Sequence, residues 1–267
     1  MLMINEKTQK IISIAEKPGN FGIKFHNKGY EQLNLNYIYL PLKVSVDQLE
    51  TTIQLLGDNF QGCSVSMPHK IKVIEYLNEL DESASRTGAV NTILNLNGHL
   101  KGFNTDYYGA KTAIEMTLSS IQNEDVLLLG AGGVAQAISY AIKDLGGNLV
   151  ITNRSREKAQ NLAEKVKAIT IPWEERNNYY AHLLINATSI GMGIDEIVIS
   201  EYAVSHFNAI MDVVVSPETK LIKEAKEKKK IVILGKLMTT YQAVKQFEIY
   251  TGQKVKTQLI DEMLQNF

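Results

Sequence analysis

Three polar residues in the first half of the chain, Lys70, Asn91 and Asp106, are of the types that can assist the reduction of a ketone. A lysine ammonium polarises a carbonyl or gives its oxygen a proton, and a neighbouring carboxylate holds the ammonium in place. Such a pair needs only a bound hydride donor to complete a reduction. Their segments, C63-S-V-S-M-P-H-K70, A89-V-N-T92 and G102-F-N-T-D106, all precede a glycine-rich nucleotide-binding fingerprint.

The composition of the chain limits its class. Its 267 residues, 45% of them hydrophobic, can bury a large core in one or two domains. A formal net charge of -1 argues against nucleic acid or an anionic membrane as a partner. The single Cys63 permits no intramolecular disulfide, the histidines lack metal-ligand spacing, and no apolar run predicts a signal peptide or a membrane span. We therefore expect a soluble cytoplasmic protein without a metal site.

The first hundred residues alternate strand and helix signals. Apolar runs predict buried parallel strands over residues 10–14, 36–40 and 62–66. Apolar residues at helical spacing predict helices over residues 21–33 and 46–56. In the second helix, one buried face would comprise Val46, Leu49, Ile53 and Leu56. Asn97-Gly98 predicts a hairpin between residues 92–96 and 99–103.

A second alternating block begins at Asp125, where a fully apolar strand leads directly into G130-A-G-G-V-A135. Helices are predicted over residues 107–118 and 134–145. Further strands are predicted over residues 148–152, 182–185, 209–213 and 231–234. Strand–helix alternation of this kind predicts a parallel sheet covered on both faces. The fold class is therefore α/β, with a Rossmann-type domain in the second block and helices after Gly235.

The glycine-rich segment matches the dinucleotide fingerprint, with alanine at its third position and the required strand before and helix after it. Gly130 allows the tight turn, and Gly132 lets the backbone approach a pyrophosphate. Gly133 keeps the helix N-terminus open to phosphate. The alternative is a glycine-rich turn that binds no ligand.

The end of the following strand indicates which dinucleotide is bound. An NAD site usually has an acidic residue there, whereas this chain has Asn153, Arg154 and Ser155. A guanidinium with short polar donors favours the 2′-phosphate of NADP, although these could be ordinary surface residues at a helix start. Thr188 and Ser189, which follow a later apolar strand, either contact the cofactor or cap a turn.

Together these motifs resemble the shikimate dehydrogenase family along nearly the whole chain. The matching segments are F25-H-N27, S64-V-S-M-P-H-K70, A89-V-N-T92, N104-T-D106, G130-A-G-G133, N153-R-S155, N186-A-T-S-I-G-M192 and M238-T-T-Y-Q242. The resemblance implies an NADP-linked reduction of 3-dehydroshikimate to shikimate. It also implies a substrate domain over residues 1–106, an NADP-binding domain over residues 107–236, and helices over residues 237–267 that return to the substrate domain.

Carried over position by position, the resemblance makes Lys70 the catalytic lysine and Asp106 its partner carboxylate. Asn91 and Gln242 match substrate-binding residues. Ser64 and Ser66 stand where the family usually has Asn and Thr, which leaves a roomier wall. The expected NADP(H) contacts are Gly130, Ala131, Gly132, Gly133, Val134, Asn153, Arg154, Ser155, Thr188, Ser189, Gly235 and Met238.

The chain departs from the family where two serines hold the substrate carboxylate. Their positions are Asn20 and Gly22, which we expect to remain at the substrate site. Losing two hydroxyls at roughly 1.5–3 kcal/mol each weakens binding of a carboxylate. Backbone amides of residues 19–22 or Lys24 could replace them, or the substrate could be a relative such as quinate. Val215 replaces a second family residue, a substrate-contacting tyrosine.

Other interpretations compete with catalysis. Lys70 could begin a surface helix after Pro68, and Asp106 could cap the helix that follows it. The whole chain could also be a nucleotide-binding regulatory homologue of low activity. Retention of Lys70, Asp106, Asn91 and Gln242 favours an enzyme, because a pure binder needs no proton-transfer pair. The sequence leaves open the physiological substrate and whether the protein is a monomer or a homodimer.

Overall fold

The computed structural model describes residues 4–215 and 218–265. These residues form two compact units, one of residues 4–105 with 242–265 and the other of residues 106–241. The predicted domains also contain residues 1–3, 216–217 and 266–267, which lie outside the described residues.

The first unit is built on one mixed sheet. Its elements up to residue 103 are β1 Gln9–Ala15, α1 Phe21–Gln32, β2 Tyr37–Lys43, α2 Leu49–Asn59, β3 Gly62–Val65, β4 Glu79–Leu80, α3 Glu82–Thr87, β5 Thr92–Leu96 and β6 His99–Phe103. The strand order is β2-β1-β3-β5-β6-β4. β1 is parallel to β2 and β3, as predicted, and β5 is antiparallel to β3 and β6. The predicted hairpin is confirmed: Asn97 and Gly98 take φ values of 55° and 90°.

The second unit is built on a fully parallel sheet. Its elements are α4 Thr105–Thr117, β7 Asp125–Leu129, α5 Gly133–Asp144, β8 Asn148–Thr152, α6 Arg156–Val166, β9 Ile169–Thr170, β10 Ala181–Asn186, β11 Phe207–Asp212, α7 Lys220–Glu227 and β12 Ile231–Leu234. The strand order is β12-β11-β10-β7-β8-β9. Two further helices follow, α8 Gly235–Thr251 and α9 Thr257–Gln265, and the boundary between the units falls within α8.

Apolar side chains cover both faces of this second sheet. Along β7, Val126 and Leu128 belong to one buried cluster, and Leu127 and Leu129 belong to another. Alternate residues of a strand point to opposite faces, so a strand buried on both sides must be apolar throughout. The predicted parallel sheet is confirmed.

One predicted helix face in the first unit is wrong at its start. Val46 is 62% exposed and lies in a short 3-10 turn, whereas Leu49, Ile53 and Leu56 are buried on α2 as expected. Ser45 and Gln48 form a capping box around that turn. The capping box therefore forms a separate 3-10 turn before α2 begins at Leu49. Val46 lies in that turn and is not part of the buried face of α2.

Within the described ranges, no helix is both long and apolar enough to cross a membrane. The same residues contain no group of three or more His, Cys, Asp and Glu side chains arranged to hold a metal ion.

Candidate active site

A polar cavity of about 170 Å³ lies within the first unit, where β1 and β3 end. Six of the predicted substrate and catalytic residues line it: Gly22, Ser64, Ser66, Lys70, Asn91 and Gln242. Asn20 does not line the cavity, although its neighbours Gly19 and Phe21 do; it is exposed and directly precedes α1. The sequence-derived site is therefore brought together in this unit apart from Asn20 and Asp106.

Backbone hydrogen bonds hold Lys70 at the cavity, one within its own loop and one to the segment before β5. The His69 amide donates to the carbonyl oxygen of Ser66 at 2.9 Å, and the Lys70 carbonyl accepts from the Val90 amide at 2.8 Å. His69 is 1% exposed, and its Nε2 lies 2.9 Å from the Val44 carbonyl oxygen. The imidazole thus anchors the residue next to the lysine, so the ammonium projects from a fixed backbone.

Asn91 joins several parts of the cavity wall. Its Oδ1 accepts from the Thr105 amide and the Thr92 hydroxyl, both at 2.8 Å, and its Nδ2 donates to Gln242 Oε1 at 3.3 Å. The Asn91 side chain is buried. Because Oδ1 accepts only and Nδ2 donates only, these partners fix the orientation of the amide. The same network fixes Thr105, the residue before Asp106.

Helix α8 contributes two glutamines to the cavity, Gln242 and Gln246. The side-chain Nε2 of Gln246 donates to the backbone carbonyl oxygen of Asn91 at 3.1 Å and to the Thr92 hydroxyl at 3.0 Å. Our sequence interpretation missed Gln246. Its spacing was the available signal, because residues four apart on a helix share a face.

The wall beside Gly22 is made by Tyr39 and Ser13, which the sequence interpretation also missed. Tyr39 lines the cavity together with Ser13 and Ser64, and burial raises the pKa of its hydroxyl to about 12. A Cβ at Gly22 would lie 2.8 Å from the Tyr39 hydroxyl oxygen. Tyr39 therefore fills the space next to one of the two altered family positions and turns a hydroxyl toward the cavity.

Neighbouring residues hold the Tyr39 ring in place. The Tyr39 amide donates to Asn27 Oδ1 at 2.8 Å, and Asn27 Nδ2 donates back to the Tyr39 carbonyl oxygen at 3.0 Å. The ring stacks on His26 with centroids 4.5 Å apart and an interplanar angle of 13°. The Ser64 hydroxyl continues the polar wall to the Tyr250 hydroxyl, 2.9 Å away.

Asp106 is the first residue of the second unit and is buried. Helix α4 begins at Thr105, so Asp106 lies in its first helical turn and does not precede the helix. The capping role considered for Asp106 from the sequence required it to stand before the helix. Its carboxylate instead lies near the N-terminal end of α4, where the helix dipole favours a negative charge.

The glycine turn of the second unit lies between β7 and α5. Gly130 takes a φ of +116°, and a Cβ there would lie 2.9 Å from the Ala187 carbonyl oxygen. A Cβ on Gly132 or Gly133 would meet nothing within 4 Å. Gly132 directly precedes α5, so this open space adjoins the first amide groups of the helix. Such a cradle fits the pyrophosphate of a dinucleotide.

The other predicted cofactor residues lie near strand ends or in packed positions. Arg154 is exposed after β8; the Ser155 hydroxyl accepts from the Lys158 amide at 3.4 Å and caps α6. Asn153 Nδ2 donates to the Ser155 carbonyl oxygen at 3.0 Å. Thr188 and Ser189 follow β10. Met238 belongs to the apolar cluster that contains Val126 and Leu128, and Ala131 and Val134 pack against that cluster.

Gly235 has a packing reason to be glycine. A Cβ there would lie 2.7 Å from the Val213 carbonyl oxygen and 2.8 Å from that of Asp212. Both contacts are to backbone, so α8 can begin this close to the end of β11 only without a side chain.

The fold and these two sites define a two-unit α/β protein with a dinucleotide-type glycine turn and a separate polar pocket. Residues 21–93 match the family model of the shikimate dehydrogenase substrate binding domain, and residues 112–212 match that of shikimate / quinate 5-dehydrogenase.

Relatives match over nearly the full length. A shikimate dehydrogenase (NADP(+)) of Pyrococcus furiosus is 35% identical over 97% of this chain and 96% of its own. A shikimate dehydrogenase-like protein of Haemophilus influenzae is 36% identical, with 97% of each chain covered. A solved shikimate dehydrogenase in complex with NADP+ superposes with a TM-score of 0.92 at 30% identity, covering 99% of this chain and 97% of that one. The chain belongs to the shikimate dehydrogenase family.

Proposed function

We propose that this protein is an NADP-dependent dehydrogenase that interconverts 3-dehydroshikimate and shikimate, or a closely related cyclic hydroxy acid. The observation that carries the proposal is the cavity, in which the Lys70 ammonium stands among hydroxyl and amide groups. A ring with several hydroxyls and one carboxylate matches such a lining, because amides and hydroxyls pair with hydroxyls and the polar donors suit an anion. The named activity of the Pyrococcus relative supports the same reaction.

Lys70 is assigned to the ketone oxygen of the substrate. Negative charge develops on that oxygen as the carbonyl carbon is reduced, and an ammonium beside it stabilises the charge and holds the proton that the oxygen takes up. In the reverse direction the same amine receives the proton from the alcohol. Asp106 is assigned as the carboxylate that keeps the amine charged and oriented.

Asn91 and Gln242 are assigned to the ring hydroxyls. Their amides are already oriented by one another and by Thr105, so little conformational freedom is lost when a substrate binds. Ser64 and Ser66 line the same cavity and complete the proposed polar wall, with Gly22 beside them. Asn20 stays in the proposed set as the polar residue of the loop that leads to Gly22.

The open cradle at Gly132 and Gly133 supports NADP(H) as the cofactor, and when bound this group supplies the hydride. The other proposed contacts comprise Ala131, Val134, Thr188, Ser189, Gly235 and Met238. Arg154, with Asn153 and Ser155, is proposed to hold the 2′-phosphate at the end of β8, where a guanidinium pairs with phosphate oxygens. We further propose a cytoplasmic location and a monomer or homodimer, which light scattering would distinguish.

The activity is tested with a panel of shikimate and quinate, each with NADP+ and with NAD+, by measuring kcat/KM. We expect the highest value for shikimate with NADP+. Lys70→Ala should lower kcat by about 10²- to 10⁴-fold, the usual contribution of a positioned proton donor. Lys72→Ala is the matched control, because Lys72 is exposed, pairs with Glu75 and does not line the cavity. Unchanged turnover of every substrate by the Lys70 variant would refute the assignment.

The cofactor assignment has its own test. Arg154→Ala should raise KM for NADP+ by about tenfold or more and leave KM for NAD+ nearly unchanged, because only NADP+ carries the 2′-phosphate. Lys165→Ala, an exposed change of the same charge in the last turn of α6, is the control. Equal losses for the two cofactors would contradict a 2′-phosphate contact.

A further inference from the structure

Two buried polar residues stand side by side where β10 and β11 end. The strands are parallel neighbours, and Asn186 and Asp212 are in register. Each is 1% exposed, and Asn186 Nδ2 donates to Asp212 Oδ1 at 3.0 Å. A buried carboxylate is costly unless several donors surround it, so this pair needs an explanation.

The partners of the Asp212 carboxylate are neutral donors. Its Oδ1 also accepts from the Val214 amide at 3.1 Å, and its Oδ2 accepts from the Thr219 hydroxyl at 2.7 Å. Burial raises the pKa of Asp212, while the hydrogen bonds from Thr219, Val214 and Asn186 oppose that rise by favouring the ionised form. The carboxylate therefore ties three segments of the second unit together at one end of its sheet.

Through Asn186, Asp212 also determines the shape of the loop that follows β10. Asn186 Oδ1 accepts from the Thr188 amide at 3.1 Å and from the Thr188 hydroxyl at 2.7 Å. The same amide group donates to the Ile190 carbonyl oxygen at 3.1 Å, and the Ile190 amide donates to Thr188 Oγ1 at 3.1 Å. A carboxylate can only accept, so Asp212 forces Asn186 to turn Nδ2 toward it and leaves Oδ1 for Thr188.

The loop shaped in this way lies against the glycine turn. A Cβ on Gly130 would lie 2.9 Å from the Ala187 carbonyl oxygen and 3.5 Å from Thr188 Cγ2. Residues 187–188 therefore form one side of the turn after β7, and a rotated Asn186 amide would move the loop relative to it.

We infer that Asp212 is a positioning residue for dinucleotide binding: by orienting the Asn186 amide, it holds residues 187–190 so that Thr188 and Ser189 stand beside the glycine turn. The inference rests on the proposed function, because it requires a dinucleotide at that turn. Asp212 acts through Asn186 and touches no reacting atom.

Asp212→Asn is the most direct perturbation. Asparagine has nearly the same shape, but it donates as well as accepts, so it no longer dictates which way Asn186 turns. We expect the Kd for NADP+, measured by titration calorimetry, to rise by about tenfold, since small displacements of positioning groups have large effects. Amide hydrogen exchange at Thr188 and Ile190 should accelerate, while KM for shikimate at saturating NADP+ stays within about twofold of the original value.

The opposite end of the same sheet supplies a matched control. Asp125 and Asn148 are also in register on parallel neighbours, and Asn148 Nδ2 lies 3.2 Å from Asp125 Oδ1. Asp125→Asn makes the same chemical change at the amino ends of the strands and should leave the Kd for NADP+ unchanged.

The outcomes separate the inference from the proposed function. If the unmodified protein does not bind NADP+, the proposed cofactor is wrong. If it binds NADP+, and Asp212→Asn binds it equally well with unchanged exchange at Thr188, the inference is overturned. Thr219→Val, which removes the 2.7 Å donor to the carboxylate, decides the question in the same way if the Asp212 variant does not fold.

Discussion

Replacing Tyr39 by phenylalanine removes one hydroxyl from the cavity wall and leaves the supports of the ring intact. Asn27 binds the Tyr39 backbone, and His26 stacks on the ring. Neither contact uses the hydroxyl. The variant should therefore fold, and any change in substrate binding can be attributed to the missing O–H group.

The size of the effect follows from the loss of one hydrogen bond to a charged group. The pKa of the Tyr39 hydroxyl, about 12, keeps it protonated at neutral pH, so it can donate to an anion in the cavity that it lines with Ser13 and Ser64. A hydrogen bond to a charged group contributes about 1.5–3 kcal/mol. Losing it corresponds to a rise in KM for shikimate of about 10- to 150-fold. We expect kcat to change little, because a contact remote from the ketone binds ground and transition states alike.

Steady-state kinetics with shikimate and with a cyclohexene triol that lacks the carboxylate test this reasoning. The Tyr39→Phe penalty should appear for shikimate and be absent for the triol. Tyr37→Phe is the control, since the Tyr37 hydroxyl donates to the Tyr250 carbonyl oxygen at 3.5 Å and does not line the cavity. Equal penalties for the two substrates, or for the two variants, would refute a carboxylate contact by Tyr39.

Three further predictions concern stability and reactivity. Burial lowers the pKa of His26 from 6.5 to about 3. The unfolded chain therefore binds the extra proton, and the free energy of unfolding should fall by up to about 1.4 kcal/mol per pH unit between pH 6.5 and about 3. Urea titrations should show a shallower acid dependence for His26→Phe; equal slopes would contradict this. Gly235→Ala should destabilise by about 1–3 kcal/mol in thermal unfolding, whereas Gly57→Ala, with nothing within 4 Å of its new Cβ, should not destabilise. Burial raises the pKa of the Cys63 thiol, so a maleimide should label it only after unfolding; labelling of the native protein would contradict this.

The parts of the fold that depend on local signals could be predicted from the sequence. The apolar run of β7, the glycine turn and α5 follow one another directly, and each is specified by adjacent residues. The hairpin at Asn97-Gly98 is local in the same sense, because two residues with positive φ determine the turn.

The cavity wall could be predicted only in part, because strand order brings distant residues together. Ser13 and Tyr39 lie on the neighbouring strands β1 and β2, and Ser64 lies on β3. No spacing rule within the chain predicts that these three residues line one cavity. Ser13 does leave a trace, as the one polar residue in the run from Ile11 to Ile14. The family pattern directed attention to Asn20 and Gly22, whereas the adjacent space belongs to Tyr39.

The hydrogen bonds between Asn27 and Tyr39 also protect an edge strand. β2 is the last strand of its sheet. The Val44 amide, just beyond β2, donates to the Ala15 carbonyl oxygen at the end of β1. The backbone N–H and C=O groups of even-numbered residues therefore point toward β1, and those of odd-numbered residues point away from the sheet. There the Tyr39 amide is bound by Asn27, the Tyr37 amide donates to Leu35 at 2.9 Å, and Pro41 has no N–H. An incoming strand would find no available donor from Tyr37 to Pro41. The side chain that fixes the cavity wall thus also discourages a second chain from extending the sheet into an aggregate.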